Sequence, residues 1–171
     1  LAGLGVAAAL LVGRFAMNVP LAGEVEFYKG PIHDEWEAWK GKKAVVIGKG
    51  FLVGAPAATW LRQQGANVEI VTSKTEDLSA VLRTADIIVS GAGVPHLIKP
   101  DMLKQGVILI DAGTSESNGT IAGDADPACA DKCSIFTPVP GGVGPLAVAK
   151  LFENVVMLAE RTMNTKRAQG F

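Results

Sequence analysis

Side chains that move protons near neutral pH are scarce in this chain. Its 171 residues include one tyrosine, Tyr28, two histidines, His33 and His96, and two cysteines, Cys129 and Cys133. Two cysteines make no disulfide framework and fit a reducing, cytoplasmic compartment. Neither histidine stands at ligand spacing from them, so no metal site is expected. Sixteen basic residues nearly balance seventeen acidic ones, for a net charge of −1. A nucleic-acid binder would carry a basic footprint, and none is visible. Long apolar runs are missing too. The opening stretch 1–13 is apolar but falls short of the roughly 20 residues a membrane-spanning helix needs. It also lacks the basic lead of a signal peptide. We read it as a core segment taken from its context and expect the chain to be a fragment.

Hydrophobic residues are abundant, at 49 % against 19 % charged, which describes a globular chain long enough for one domain. Its 20 glycines suit tight turns and close backbone approaches. The chain is organised around one of these turns, Gly48-Lys49-Gly50-Phe51-Leu52-Val53-Gly54. An apolar strand pattern, 44–47, runs into it, and a helical pattern leaves it at Gly54. That order places backbone N–H groups of a helix N-terminus where a phosphate can be received. The spacing is G-x-G-x-x-x-G, one residue longer than the usual dinucleotide fingerprint. The plain alternative is a glycine turn between a core strand and a helix.

The rest of the chain supplies the context. Residues 1–40 read as a helical lead-in, with Trp36 and Trp39 three apart on one helical face for packing. The pattern then predicts a helix over 54–64 stopped by Gly65, a strand over 68–71 and a polar bend at 72–75. A short helix over 76–83 follows, then a strand over 87–89, a helical turn over 99–104 and a strand over 107–110. Short strands are predicted at 121–123 and 134–136, with Cys129 and Cys133 in a helix between them. A final helix over 145–162 carries Val148, Phe152, Val155, Val156 and Ala159 on one apolar face. Short apolar strands alternating with helices give an α/β fold, a doubly wound Rossmann-type parallel sheet covered on both faces. The domains are then 1–40, lead-in; 41–162, NAD(P)-binding domain; and 163–171, tail. Ligands in such sheets lie beyond the carboxyl ends of the strands, so loops 48–54, 72–75, 91–95, 111–114 and 138–144 should line the crevice.

The second strand indicates which nucleotide. NAD binders usually place an acid at its tip for the ribose hydroxyls. Here the tip is Val71-Thr72-Ser73-Lys74, without a carboxylate. A hydroxyl and an ammonium would receive a 2′-phosphate, with Lys49 in reach, and NADP is preferred over NAD on charge complementarity. The plain alternative leaves Lys49 and Lys74 as solvated surface lysines.

Two stretches carry more than a generic dinucleotide fold. One is Thr137-Pro138-Val139-Pro140-Gly141-Gly142-Val143-Gly144-Pro145. The other is the glycine turn, continued as Gly54-Ala55-Pro56, with Ser73-Lys74-Thr75 after the second strand. Together they resemble the bifunctional methylenetetrahydrofolate dehydrogenase/methenyltetrahydrofolate cyclohydrolase family, for which the Pro-Val-Pro-Gly-Gly-Val-Gly-Pro string is highly specific. Ala85-Asp86-Ile87-Ile88-Val89-Ser90, Gly93-Val94-Pro95, Ile98-Lys99, Ile110-Asp111-Ala112-Gly113-Thr114 and Gly123-Asp124-Ala125-Asp126 follow in the family's order. The resemblance covers 41–159, and 13–40 more weakly.

The resemblance implies an NADP-dependent oxidation of 5,10-methylenetetrahydrofolate and hydrolysis of the methenyl product to 10-formyltetrahydrofolate. It also implies a homodimer. The family's Gly-Arg-Ser turn falls on Gly48, Lys49 and Gly50. Lys49 keeps the charge of the arginine that contacts the 2′-phosphate but not its fork, and Gly50 drops a hydroxyl. Ser73 matches the family's phosphate-binding serine, with Lys74 beside it. Thr72 stands where a histidine is common. Gly93 and Thr114 join the cofactor set, Thr114 in place of an isoleucine on the nicotinamide side. Pro140, Gly141, Gly142, Val143 and Gly144 carry over as folate contacts.

One departure is large. The family's catalytic half carries a Tyr-x-x-x-Lys motif, a glutamine and a pterin-holding aspartate. Tyr28 is followed four residues on by Ile32, so no catalytic residue is expected in this chain. Two alternatives stand beside this reading: a non-catalytic dinucleotide-binding or dimerisation module, and a fragment of an unrelated Rossmann dehydrogenase. Among the remaining polar residues, His96 is read as a surface histidine. Asp111 is read as a loop-shaping side chain, and Asp124 and Asp126 as turn formers.

Overall fold

The computed structural model describes residues 39–117 and 119–168. Most of the predicted lead-in, Trp36 included, and the end of the predicted tail lie outside the described residues.

Five parallel strands form the central sheet: β1 (Lys43–Ile47), β2 (Asn67–Val71), β3 (Ile87–Ser90), β4 (Val107–Asp111) and β7 (Cys133–Thr137), in the order β2-β1-β3-β4-β7. Strand period sends alternate side chains to opposite faces. Ala44 and Val46 therefore enter one core with Ile87, Val89 and Ile110, while Val45 and Ile47 enter the other with Ile88 and Leu109. The first core is closed by helix α1 (Gly54–Gln63) through Ala57, Ala58, Trp60 and Leu61. Trp39 meets Trp60 edge to face, ring centroids 5.5 Å apart. The second core is closed by helix α2 (Leu78–Arg83) and by two 3₁₀ turns, Pro100–Met102 and Pro127–Lys132. Helix α1 ends as its sequence requires. Gly65 takes φ +81°, its N–H bonds the Arg62 carbonyl, and the Ala66 N–H bonds the Leu61 carbonyl, which is a Schellman stop.

Three expectations change. Strands β5 (Ser115–Ser117) and β6 (Thr120–Ala122) form a separate antiparallel pair, of which only β6 was visible in the sequence pattern. Cys129 and Cys133 do not share a helix: Cys129 lies in the 3₁₀ turn after Pro127, and Cys133 opens β7 and pairs with Val107. The last helix, α3 (Val143–Ala168), continues past the predicted stop at 162. Its apolar positions Val148, Phe152, Val155 and Val156 are exposed. No helix among the described residues is long and apolar enough to cross a membrane.

The cysteine positions lead to a test. Both thiols are free, and burial pushes each up to about 11. At pH 8 that leaves about one thiolate in a thousand. A disulfide reagent should therefore label the folded chain slowly and titrate two thiols promptly once the chain is unfolded. Prompt labelling of both in the native state would contradict the packing.

Candidate nucleotide-binding site

Chain order and spatial order part company after β1. The chain first crosses to β2 on one side and then returns to place β3 on the other. The connections that leave the carboxyl ends of β1 and β3 therefore pass to opposite faces of the sheet, which marks the position where open α/β sheets hold their ligands. The glycine turn leaves β1 at this point. Gly48 takes φ +95°, and its N–H bonds the Val71 carbonyl at the tip of β2. Helix α1 starts with no side-chain cap and no acid in its first turn. The Ala55 N–H bonds the Gly50 carbonyl at 3.0 Å, the Ala57 N–H bonds the Val53 carbonyl at 2.9 Å and Pro56 has no N–H, so an anion here would be received by the glycine turn and the very start of the helix, where no acid competes. Gly54 sits so close to the end of β1 that a Cβ there would overlap the Gly48 carbonyl oxygen and lie 2.6 Å from its carbon.

The other expected cofactor residues lie on the same edge of the sheet. Ser73 and Lys74 are exposed in the bend after β2, next to the glycine turn because β1 and β2 are paired. Thr72 and Thr75 tie that bend: the Thr72 N–H donates to Thr75 Oγ1 at 3.1 Å, and Thr72 Oγ1 accepts from the Lys74 N–H at 3.3 Å. Lys49 is exposed, and neither it nor Lys74 forms an ion pair among the described residues. Gly93 takes φ +68°, and a Cβ there would lie 3.9 Å from the Thr114 carbonyl oxygen. The loop 138–144 contains a cis Val139–Pro140 peptide and Gly141 at φ +103°. The Gly142 N–H closes this loop on the Pro138 carbonyl at 2.7 Å. Val143 joins the first core, against which Val53 and Ala112 also pack, while a Cβ on Gly141 or Gly144 would meet nothing within 4 Å.

Beneath these loops lie two buried carboxylates. Asp111, at the end of β4, accepts from the Gly113 N–H at 2.9 Å and the Ala125 N–H at 2.8 Å. It shapes the loop as expected. Asp124 corrects the expectation of a turn former. It is fully buried and reaches back to the exit of β3, accepting from Ser90 Oγ at 2.6 Å and from the N–H groups of Ala92 and Val94 at 2.7 and 2.8 Å. Asp126 is a turn former: it caps the Ala128 N–H at 3.0 Å and pairs with Lys99. Burial raises the Asp111 carboxyl above the usual carboxylate range, against its backbone hydrogen bonds. Glycines admit the carboxylates. A Cβ on Gly113 would overlap the Asp124 carboxylate, and one on Gly123 would overlap Asp111 and lie 2.8 Å from Val139. Thr137 completes the floor, accepting from the Asp111 N–H at 2.8 Å. Sequence reasoning missed Ser90, Thr137 and the reach of Asp124. The available signal was the pairing of Asp-x-Gly at 111–113 with Gly-Asp at 123–124. His96 is exposed at φ +53°. No group of histidine, cysteine and acidic side chains among the described residues could hold a metal.

Residues 32–163 match the family model described as "Tetrahydrofolate dehydrogenase/cyclohydrolase, NAD(P)-binding domain". The chain belongs to this family. Among curated relatives, the bifunctional protein FolD of Lactobacillus gasseri is 45 % identical over 122 residues, covering 71 % of this chain and 43 % of its own length. Its namesake in Campylobacter jejuni strain RM1221 is 46 % identical over 127 residues, covering 73 % and 45 %. The chain therefore spans less than half the length of these relatives. Among solved structures, the Campylobacter jejuni FolD superposes with a TM-score of 0.69 at 42 % identity, over 77 % of this chain and 49 % of that one. The Trypanosoma brucei FolD, solved with NADP and an inhibitor, superposes with a TM-score of 0.68 at 36 % identity, over 72 % and 45 %. Membership in the tetrahydrofolate dehydrogenase/cyclohydrolase family displaces the alternative of an unrelated Rossmann dehydrogenase.

Proposed function

We propose that this chain is the cofactor-binding half of a cytoplasmic, homodimeric methylenetetrahydrofolate dehydrogenase/methenyltetrahydrofolate cyclohydrolase. The whole enzyme would oxidise 5,10-methylenetetrahydrofolate and hydrolyse the methenyl product to 10-formyltetrahydrofolate in one-carbon metabolism. NADP⁺ would accept the hydride, and the protein's part is to orient it. The observation that carries the reading is the glycine turn at the β1–β3 switch point, leading into α1 with no side-chain cap and no acid in its first turn, in a chain of this family. Gly48, Lys49 and Gly50 would hold the phosphates. Ser73 and Lys74 would receive the 2′-phosphate, Gly93 and Thr114 would flank the nicotinamide side, and the loop from Pro140 to Gly144 would face the folate. Catalytic side chains would come from the half of the protein that this chain does not contain.

Parallel titrations of the chain with NADP⁺ and NAD⁺ test the cofactor assignment. NADP⁺ should bind about tenfold more tightly, the size of one charge-assisted contact. Tighter binding of NAD⁺ would remove Lys49, Ser73 and Lys74 from the phosphate. The chain alone should not oxidise folate, and turnover at a normal enzymatic rate would overturn the division of labour. Sedimentation at micromolar concentration tests the homodimer.

Gly50 offers a gain-of-binding test. It lies outside the left-handed region, and a Cβ there would meet nothing within 4 Å. Gly50→Ser should leave stability unchanged and tighten NADP⁺ about fivefold by adding one hydroxyl contact. NAD⁺ affinity should stay constant. An equal change for both nucleotides would place residue 50 away from the 2′-phosphate.

A further inference from the structure

Asp124 is a fully buried carboxylate with no catalytic task in the reading above, on which this inference rests. Its two oxygens accept three hydrogen bonds, all from the exit of β3: the Ser90 hydroxyl and the Ala92 N–H on one oxygen, the Val94 N–H on the other. Gly93 lies between those two N–H groups at φ +68°, where a Cβ would lie 3.9 Å from the Thr114 carbonyl oxygen. The carboxylate therefore clamps the loop 91–94 from below and fixes the backbone on both sides of Gly93. Its own backbone is held as firmly. The Asp124 carbonyl accepts from the Ile98 N–H at 2.9 Å, and Ala125 forms a parallel bridge with Ile98. The neighbouring Ala125 N–H is bound by Asp111.

The position of the clamp selects one half of the ligand. The tip of β2 takes the adenosine ribose in folds of this kind, so the adenosine half lies over β1 and β2. A dinucleotide crossing the switch point must place its other half over β3 and β4. We propose that Asp124 is a positioning residue for the nicotinamide half of the nucleotide, acting through the loop 91–94 and touching neither the nucleotide nor the folate. Substituting Asn keeps the volume but places an amide N–H₂ against a shell made only of donors.

The test uses the full chain, its Asp124→Asn variant and two probes, NADPH and adenosine 2′,5′-bisphosphate, which carries the adenosine half alone. In the variant, NADPH should bind about tenfold more weakly, the size of one charge-assisted hydrogen bond. The rise in nicotinamide fluorescence on binding should be lost, while affinity for the bisphosphate stays within about twofold. Ser90→Ala, which leaves the carboxylate two of its three donors, should move NADPH the same way by less and leave the bisphosphate alone. That variant carries the test if Asp124→Asn does not fold. Equal weakening of both probes would mean a general loosening and would overturn the proposal. So would an unchanged NADPH signal in a variant whose wild type shows one. Failure of the wild type to bind either probe would overturn the nucleotide reading itself, and the proposal with it.

Discussion

Gly54→Ala should weaken NADP⁺ binding about a hundredfold although it removes no polar group from the site. Alanine favours helix over glycine by about 1 kcal/mol, and Gly54 opens α1, so propensity alone predicts stabilisation. Geometry outweighs it. The new Cβ would overlap the Gly48 carbonyl oxygen and lie 3.1 Å from the Lys49 Cα, and both neighbours are backbone that cannot rotate away. The helix must back off from β1 or the turn must unwind. Overpacking of this kind costs about 1–3 kcal/mol. Either movement displaces the N–H groups that would receive the pyrophosphate, so NADP⁺ affinity should fall by about two orders of magnitude, as expected when several phosphate contacts go together. Calorimetric titration reads the affinity and urea unfolding the stability. An alanine variant as stable as the wild type, with unchanged affinity, would sink the strand–turn–helix account of the site.

Asp111→Ala should strongly destabilise the fold. Two effects oppose each other. Burial raises the Asp111 carboxyl, so its ionised form is held at a cost that truncation would relieve. Truncation also strands the N–H groups of Gly113 and Ala125, both of which bond the carboxylate now. Each buried donor without an acceptor costs about 1–3 kcal/mol, and removing one member of a buried network generally outweighs the relief. A net loss of about 3 kcal/mol is expected, a large share of a typical domain's stability. The pH dependence carries a sign. A carboxyl raised in the folded state binds more protons folded than unfolded between the two values. Its contribution therefore falls as pH rises from the ordinary 3.8 through the raised folded value, and is constant above that. The gap between wild type and variant should accordingly be wider near pH 4 than at pH 7. Urea unfolding at the two pH values measures it. A gap below about 1 kcal/mol at both would show that the two N–H groups find other acceptors.

Local signals carried far in this chain. Continuous apolar runs of three or four residues gave β1, β3 and β4 as doubly buried strands, because a parallel sheet covered on both sides needs apolar side chains on each. Helix α1 was legible from its periodicity and its glycine stop. Strand β5 was not: Ser115-Glu116-Ser117 has no apolar alternation, and three residues held only by β6 need none. The cysteine segment misled because Pro127 fits a helix start as well as a 3₁₀ turn, and only pairing with β4 pulls Cys133 into the sheet. The apolar stripe of α3 was read correctly as a stripe, but periodicity does not say against what it packs.

By itself, then, the sequence determined the alternation of strand and helix, the place of the glycine turn and the absence of a carboxylate at the tip of β2. These depend on residues near one another in the chain, where period, turn chemistry and charge act directly. The tertiary structure alone decided which aspartate is a surface cap and which is a buried clamp. Asp124 and Asp126 look alike in sequence, two residues apart. What separates them is Ser90, Ala92 and Val94, thirty or more residues away, brought to Asp124 by the crossover that sets β3 and β4 side by side. A buried carboxylate is defined by the donors around it, and those donors meet only when the sheet is formed.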